Sequence, residues 1–166
     1  MVSIVADLAR DIDHEPVLYN ETLDHLLIRS GGVYIDATVG SGGHAAGILE
    51  RSAPDGRLLG LDADPDALVV ALRRLTVFGD RATLVHANFG EMAEAAARCG
   101  ITQVHGILMD LGLSSRQLTA RGRGFAFQED APLDMRLDPA QPDTAYDLVN
   151  TSSERDLADV IYRLGD

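Results

Sequence analysis

Short apolar runs alternate along this chain with longer stretches of helical period, a pattern that predicts strands joined by helices and therefore a parallel sheet. Val33-Tyr-Ile-Asp36 follows the Gly31-Gly32 breaker and reads as a first strand. A glycine-rich turn over Thr38 to Gly43 leads into a short, alanine-rich helix, Ala45 to Arg51, which Pro54-Asp55-Gly56 stops. Arg57 to Leu61 is a second strand ending at Asp62. Asp64 as N-cap and Pro65 at the first helical position open the next helix, with Leu68, Ala71, Leu72 and Leu75 as its expected apolar stripe. Ala82 to His86 is a third strand, Glu91 to Cys99 a helix closed by Gly100, and Val104 to Met109 a fourth strand ending at Asp110. From Gly112 to Pro142 three glycines, three prolines and scattered arginines predict a long ordered loop with at most a short helix. Two small helices follow, Thr144 to Asn150 and Ser153 to Leu164, the second opened by serine with acidic residues in its first turn. Upstream, His14 to Ile28 reads as an extended lead-in followed by an amphipathic helix.

Successive crossovers of this kind are right-handed, so helices cover both faces of the sheet only if the strand order reverses. The glycine turn after the first strand is the expected reversal point, and ligands bind at such a point.

Composition narrows the class. The chain has 166 residues, 26 acidic and 14 basic, for a formal charge of −12. That length suits one domain, or one with a small appendage. With 46% hydrophobic residues and a mean hydropathy of +0.01, it can bury a core, which excludes a disordered acidic tail. No apolar run approaches the roughly 20 residues that span a bilayer. Asp7, Arg10, Asp11 and Asp13 break up the start of the chain and leave no signal-peptide core, so a cytoplasmic location is expected. The single cysteine, Cys99, allows no internal disulfide and too few sulfurs for a Cys/His zinc cluster, so no metal is expected. Acidity excludes a sequence-blind nucleic-acid binder, although Arg116, Arg121 and Arg123 form a local basic cluster in the loop.

The stretch richest in chemistry is Asp36-Ala-Thr-Val-Gly40-Ser-Gly42-Gly43-His44. Glycines at a strand-to-helix turn let backbone approach a ligand, and the helix start supplies N–H donors. Asp62, at the next strand tip, stands where a carboxylate accepts both hydroxyls of a ribose. Gly40-Ser-Gly42-Gly-His-Ala45 also satisfies the dinucleotide pattern G-x-G-x-x-A, so a nicotinamide-dependent oxidoreductase competes. Two features point away from it. Asp36 precedes the glycines, as expected where the loop must hold a positively charged amino group, and His44 stands where pyrophosphate loops favour small residues. A ligand with adenosine at one end and an amino acid at the other, such as S-adenosyl-L-methionine, fits better. Asp110 ends the fourth strand on the same rim as Asp36 and Asp62. A conjugated exocyclic amine is a poor nucleophile, so methyl transfer to one needs polar acceptors near its N–H groups; Asp110, Ser114 and Ser115 are the candidates. Phe89, after the third strand, lies against an adenine or in the core. His14, His25, His86 and His105 are dispersed and read as structural or surface residues.

Together, His14-Glu-Pro-Val-Leu, Tyr34-Ile-Asp-Ala-Thr-Val-Gly-Ser-Gly-Gly-His44, Gly60-Leu-Asp-Ala-Asp-Pro65, Asn88-Phe89, Gly106-Ile-Leu-Met-Asp-Leu-Gly-Leu-Ser-Ser115, Gln117-Leu118, Arg123-Gly-Phe-Ala-Phe127 and Pro132-Leu-Asp-Met-Arg136 resemble the bacterial 16S ribosomal RNA cytosine-N4 methyltransferases. The resemblance runs from His14 to the end of the chain. It implies methyl transfer from S-adenosylmethionine to the exocyclic N4 of a cytidine in the small ribosomal subunit. It also implies that Gly42, Gly43 and His44 contact the methionine end, Asp62 the ribose and Phe89 the adenine side, with Asp110 and Gln117 completing the pocket. An amide such as Gln117, in a short loop helix, is by itself expected to be solvated. The implied fold is a Rossmann-like class I methyltransferase with a partial sheet in the order 3-2-1-4 and flanking helices. Three segments are expected: an N-terminal extension and helix over residues 1–30, a cofactor-binding core over 31–118, and a loop with the start of a helical substrate-recognition region over 119–166. Family members continue further, so an N-terminal portion lacking the C-terminal strands and the helical insert is expected, with the fourth strand as an open edge and little methyl transfer by itself. A non-catalytic remnant that binds another protein through that edge is the remaining alternative.

Overall fold

Four short parallel strands carry the architecture: β1 (Val33–Asp36), β2 (Arg57–Asp62), β3 (Ala82–His86) and β4 (Gly106–Leu108), hydrogen-bonded in the order β3-β2-β1-β4. The computed structural model describes residues 16–120 and 122–165. The expected lead-in at His14 and Arg121 of the basic cluster lie outside them. The order reverses between β1 and β2 on one side and β1 and β4 on the other, so the crevice opens at the C-terminal end of β1, as the glycine turn predicts.

The strands read as continuous apolar runs because both sheet faces are covered. Successive residues point to opposite faces, which separates Tyr34 and Leu58 from their neighbours Ile35 and Leu59. Tyr34 and Leu58 pack with Leu23, Val39, Ile48, Leu49 and Leu75 under α1 (Tyr19–His25), α2 (Gly43–Arg51) and α3 (Pro65–Leu75). Ile35 and Leu59 pack with Leu61, Ala87, Ala95 and Ala96 under α4 (Met92–Arg98). Truncating Leu59 or Leu61, both fully buried, costs about 2–5 kcal/mol at such positions.

Several boundaries and one helix face differ from expectation. Helix α2 begins at Gly43, before the expected Ala45, because Gly42 takes the left-handed conformation (φ 81°) and serves as its N-cap. Strand β4 is shorter than Val104 to Met109, since its neighbour β1 pairs with it from Tyr34 to Asp36, opposite Gly106 to Leu108. Asp64 caps α3 as expected, its Oδ1 accepting from the Asp66 N–H at 3.0 Å, and Pro65 sits at the first position. The buried face of α3, however, is Ala67, Val70, Ala71 and Leu75. Leu72, placed on the core stripe by periodicity, is 61% exposed. The small residues let α3 approach α2 closely, and the bulkier Leu68, Val69 and Leu72 line a shallow apolar groove with Ala82 and Leu84.

The chain divides into two compact units, Met1–Gly112 and Leu113–Asp166. Among its described residues the second contains α5 (Ser115–Thr119), α6 (Ala145–Thr151) and α7 (Glu154–Leu164). Each helix has a side-chain N-cap, Ser114, Thr144 and Ser153 respectively. No helix among the described residues is long and apolar enough to cross a membrane.

Candidate functional site

Within the first unit, the ends of β1, β2 and β4 converge on one carboxylate cluster. Asp36, the last residue of β1, is 1% exposed, and its Oδ1 accepts a long bond from the Thr38 N–H, at 3.3 Å. Burial pushes its pKa up to about 7, the Thr38 N–H opposes that, and the nearby charges of Asp62 and Asp110 raise it further. Asp62 is also raised, mainly by burial, against bonds from backbone N–H groups. Its Oδ2 accepts from the Gly40 N–H at 2.8 Å and its Oδ1 from the Asp64 N–H at 2.9 Å. The glycine loop and the β2 turn therefore aim one carboxylate between them, and each oxygen keeps a lone pair for an incoming donor.

The start of α2 supplies the opposite polarity. Gly42 has no side chain to cap the first turn, so the start of α2 offers N–H groups together with the positive end of the helix dipole. Gly43 permits close approach: a Cβ there would lie 2.3 Å from Pro16 Cγ and 2.8 Å from Arg74 Nη1. The His44 ring is 7% exposed and stacks against Tyr19, with ring centroids 6.0 Å apart. Burial lowers its pKa, while the Asp110 charge and the Val17 carbonyl oppose the shift. Nε2 has no hydrogen-bond partner among the described residues, so the Val17 bond falls to Nδ1. A neutral ring whose Nδ1–H donates to a carbonyl leaves Nε2 as a buried acceptor in need of a donor. Neither Tyr19 nor Val17 carries a sequence signal for this role; the stack joins two segments the local pattern treats separately.

Other expected site residues are distributed as follows. Phe89 opens a short 3-10 turn at the end of β3, fixed by the Asn88–Glu91 capping box, and is 43% exposed. That excludes the core alternative and leaves its ring available. Asp110 follows β4, with its N–H donating to Thr38 Oγ1 at 2.8 Å. Ser114, Ser115 and Gln117 belong to the second unit. Ser114 Oγ accepts from the Gln117 N–H at 3.2 Å and Gln117 Oε1 accepts from the Ser114 N–H at 2.9 Å, a reciprocal cap on α5. Gln117 is thus not the solvated amide expected of a short loop helix: it is 8% exposed. Arg123, from the basic cluster, donates to the Arg136 and Leu137 carbonyls at 2.9 and 2.8 Å and stacks over Phe125, so its loop already engages it. His86 and His105 have structural roles, His86 Nε2 lying 3.0 Å from the Ala63 carbonyl and His105 Nδ1 accepting from the Val33 N–H at 2.9 Å.

The arrangement suits a ligand with cationic and N–H-bearing groups beside the acids, a hydroxyl pair at Asp62 and an anionic group at the α2 start. A pyrophosphate would meet the carboxylate cluster and the His44 ring instead of a small-residue cradle. Comparison with known proteins decides the family. A model described as the MraW methylase family matches residues 11–166. The chain belongs to that family. Among curated relatives, proteins named ribosomal RNA small subunit methyltransferase H are 58% identical in Syntrophus aciditrophicus, 51% in Syntrophobacter fumaroxidans and 54% in Symbiobacterium thermophilum, over 92%, 93% and 92% of this chain. The matched regions are 49%, 49% and 48% of those relatives, so this MraW-family chain spans about half their length. Membership leaves the nicotinamide oxidoreductase and the non-catalytic remnant without support.

Proposed function

We propose that this chain carries the S-adenosylmethionine site of an rRNA methyltransferase whose acceptor is the exocyclic N4 of a cytidine in 16S rRNA. The observation that carries the reading is the gathering of Asp36, Asp62 and Asp110 at the ends of β1, β2 and β4, where burial pushes Asp36 up to about 7 and the charges of Asp62 and Asp110 add to the shift. A sulfonium and an α-ammonium are the cations such a cofactor brings. Asp62 would accept the ribose hydroxyls, the uncapped N–H groups of α2 the methionine carboxylate, and His44 Nε2 an ammonium N–H. Phe89 offers a half-exposed ring to the adenine.

When bound, the cofactor supplies an electrophilic methyl group on sulfur. The protein must hold the amine in line with that group and accept one N–H proton, because N4 gains a methyl and loses a hydrogen. Asp110, Ser114 and Ser115 are the acceptors under consideration. A carboxylate can hold the proton whereas a serine hydroxyl cannot, and Ser114 Oγ already caps α5, which favours Asp110 for the proton and the serines for orienting the amine. The small-subunit partner is supported by the names of the relatives.

Calorimetric titration tests the cofactor: heat with S-adenosylmethionine and none with NADH is expected, and the reverse sinks the reading. For the acceptor, small subunits incubated with the chain and methyl-labelled cofactor are digested to nucleosides; the chain by itself should incorporate little label, and what it incorporates should sit on cytidine N4. Label on any atom other than cytidine N4 overturns the assignment.

A further inference from the structure

Among the described residues strand β4 is an edge strand tied to the sheet through β1 alone, and the Ala37 N–H donates to the Leu108 carbonyl at 2.9 Å where that ladder ends. Beyond this bond β1 turns away into the glycine loop, and parallel pairing has no backbone acceptor to offer the Asp110 N–H. A side chain takes over: Thr38 Oγ1 accepts from Asp110 N–H at 2.8 Å across 72 positions of sequence. Thr38 is itself anchored, its own N–H donating to Asp36 Oδ1 at 3.3 Å. Packing does little to hold the same segment, since Met109 and Leu111, on either side of Asp110, are exposed.

We infer that Thr38 is a positioning residue: its hydroxyl oxygen, by accepting the Asp110 N–H, fixes where the tip of β4 presents the Asp110 carboxylate to the rim. The inference rests on the role proposed for Asp110. Threonine suits the task because its branched Cβ restricts χ1, so the acceptor is held in place before a ligand arrives. Valine keeps the shape and removes the acceptor; serine keeps the acceptor with a looser χ1.

Amide hydrogen exchange by NMR and calorimetry with S-adenosylmethionine on the full chain test it. In Thr38→Val the Asp110 amide should exchange at least about tenfold faster while core amides such as Leu59 stay protected. Cofactor affinity should fall about tenfold, and Thr38→Ser should restore both readouts to within about threefold. In an Asp110→Ala background, Thr38→Val should add nothing to the affinity loss, an outcome that general loosening of the fold would not produce. Unchanged Asp110 exchange in Thr38→Val, equal losses in the valine and serine variants, or full additivity with Asp110→Ala overturns the inference. Thr38→Ala replaces the valine variant if that one does not fold. A wild-type chain that binds no cofactor sinks the proposed function, and the exchange comparison then decides the Thr38 tie separately.

Discussion

Aspartates in the two units are driven in opposite directions. In the first unit Asp36 is buried and Asp62 half-buried, Asp36 feels the charges of both Asp62 and Asp110, and both Asp36 and Asp62 are pushed up. In the second, Asp134 receives bonds on both oxygens from the Arg136 guanidinium at 2.9 and 2.7 Å, and that pairing brings its pKa down to about 2. Asp147 is lowered as well, chiefly by its bonds from Thr144. The second group consists of satisfied carboxylates that hold a loop and a helix start. The first consists of carboxylates whose charged forms are penalised chiefly by burial, with neighbouring carboxylates adding to the penalty, and such frustration in a crevice marks a candidate ligand site.

The largest effect expected from breaking this contrast is at Asp62. Asp62→Ala removes two charged acceptors for hydroxyls, each worth about 1.5–3 kcal/mol, and releases the Gly40 N–H from its anchor. S-adenosylmethionine affinity should fall by about 100-fold or more in calorimetry. A change below about threefold would place the ribose elsewhere and remove Asp62 from the site.

Next comes the close approach at Gly43. The terminus of Arg74 can move aside for a new side chain, but the Pro16 ring is tied to backbone and cannot retreat alone. Gly43→Val should destabilise the fold by about 1–3 kcal/mol in urea titration and weaken cofactor binding roughly tenfold. Wild-type behaviour in both measurements would show that the α2 start has room to spare.

How far this contrast was legible in the sequence depends on the range of the interactions behind it. The strands were readable because strands buried on both faces are apolar throughout, and Asp62 because a strand tip before an Asp-Pro helix start is a local signal. The buried face of α3 was readable in part: Ala71 and Leu75 are buried and Leu68 packs against the core, but Leu72 is exposed while Ala67 and Val70 are buried, since periodicity cannot choose between two apolar sides. The spacing Ser114-x-x-Gln117 is that of a capping box, and treating the glutamine as solvated overlooked it. The Thr38–Asp110 bond and the His44–Tyr19 stack join residues from separate elements, where no window of sequence carries the information.

Asp36 tests the electrostatic half of the contrast through pH. Its folded pKa of about 7 lies above the ordinary 3.8, so the fold binds its proton more tightly than the unfolded chain does. That contribution is fully present below about pH 4 and is lost as pH rises through about 7. Asp62 acts in the same direction, whereas Asp134 and Asp147 stabilise above the ordinary carboxylate range and lose that contribution as pH falls. The wild-type curve minus that of Asp36→Asn isolates one group: wild type should lose stability relative to the variant across this window, by at most about 4 kcal/mol. A flat difference curve would mean that Asp36 ionises without penalty and that the cluster is not frustrated. Cofactor binding should also release protons near pH 7 in wild type and release fewer in Asp36→Asn, as a newly arrived cation favours the ionised carboxylate.

The smallest effect on binding is expected from the satisfied side of the comparison. Arg136 joins Asp134 to the Pro139 and Gln141 carbonyls, at 3.1 and 2.7 Å, so one guanidinium closes the loop on itself. Arg136→Ala should speed proteolytic cleavage within residues 122–142 and let the Asp134 pKa climb back toward its ordinary value, as read by NMR titration. Arg136→Lys should recover little, because an ammonium cannot reproduce the two-pronged bond to Asp134 together with both carbonyl contacts. Cofactor affinity should stay within about twofold of wild type in both variants. A loss as large as that of Asp62→Ala would show that a paired carboxylate can matter to the ligand as much as a frustrated one, and the distinction between the two kinds of aspartate would then fail as a guide to the site.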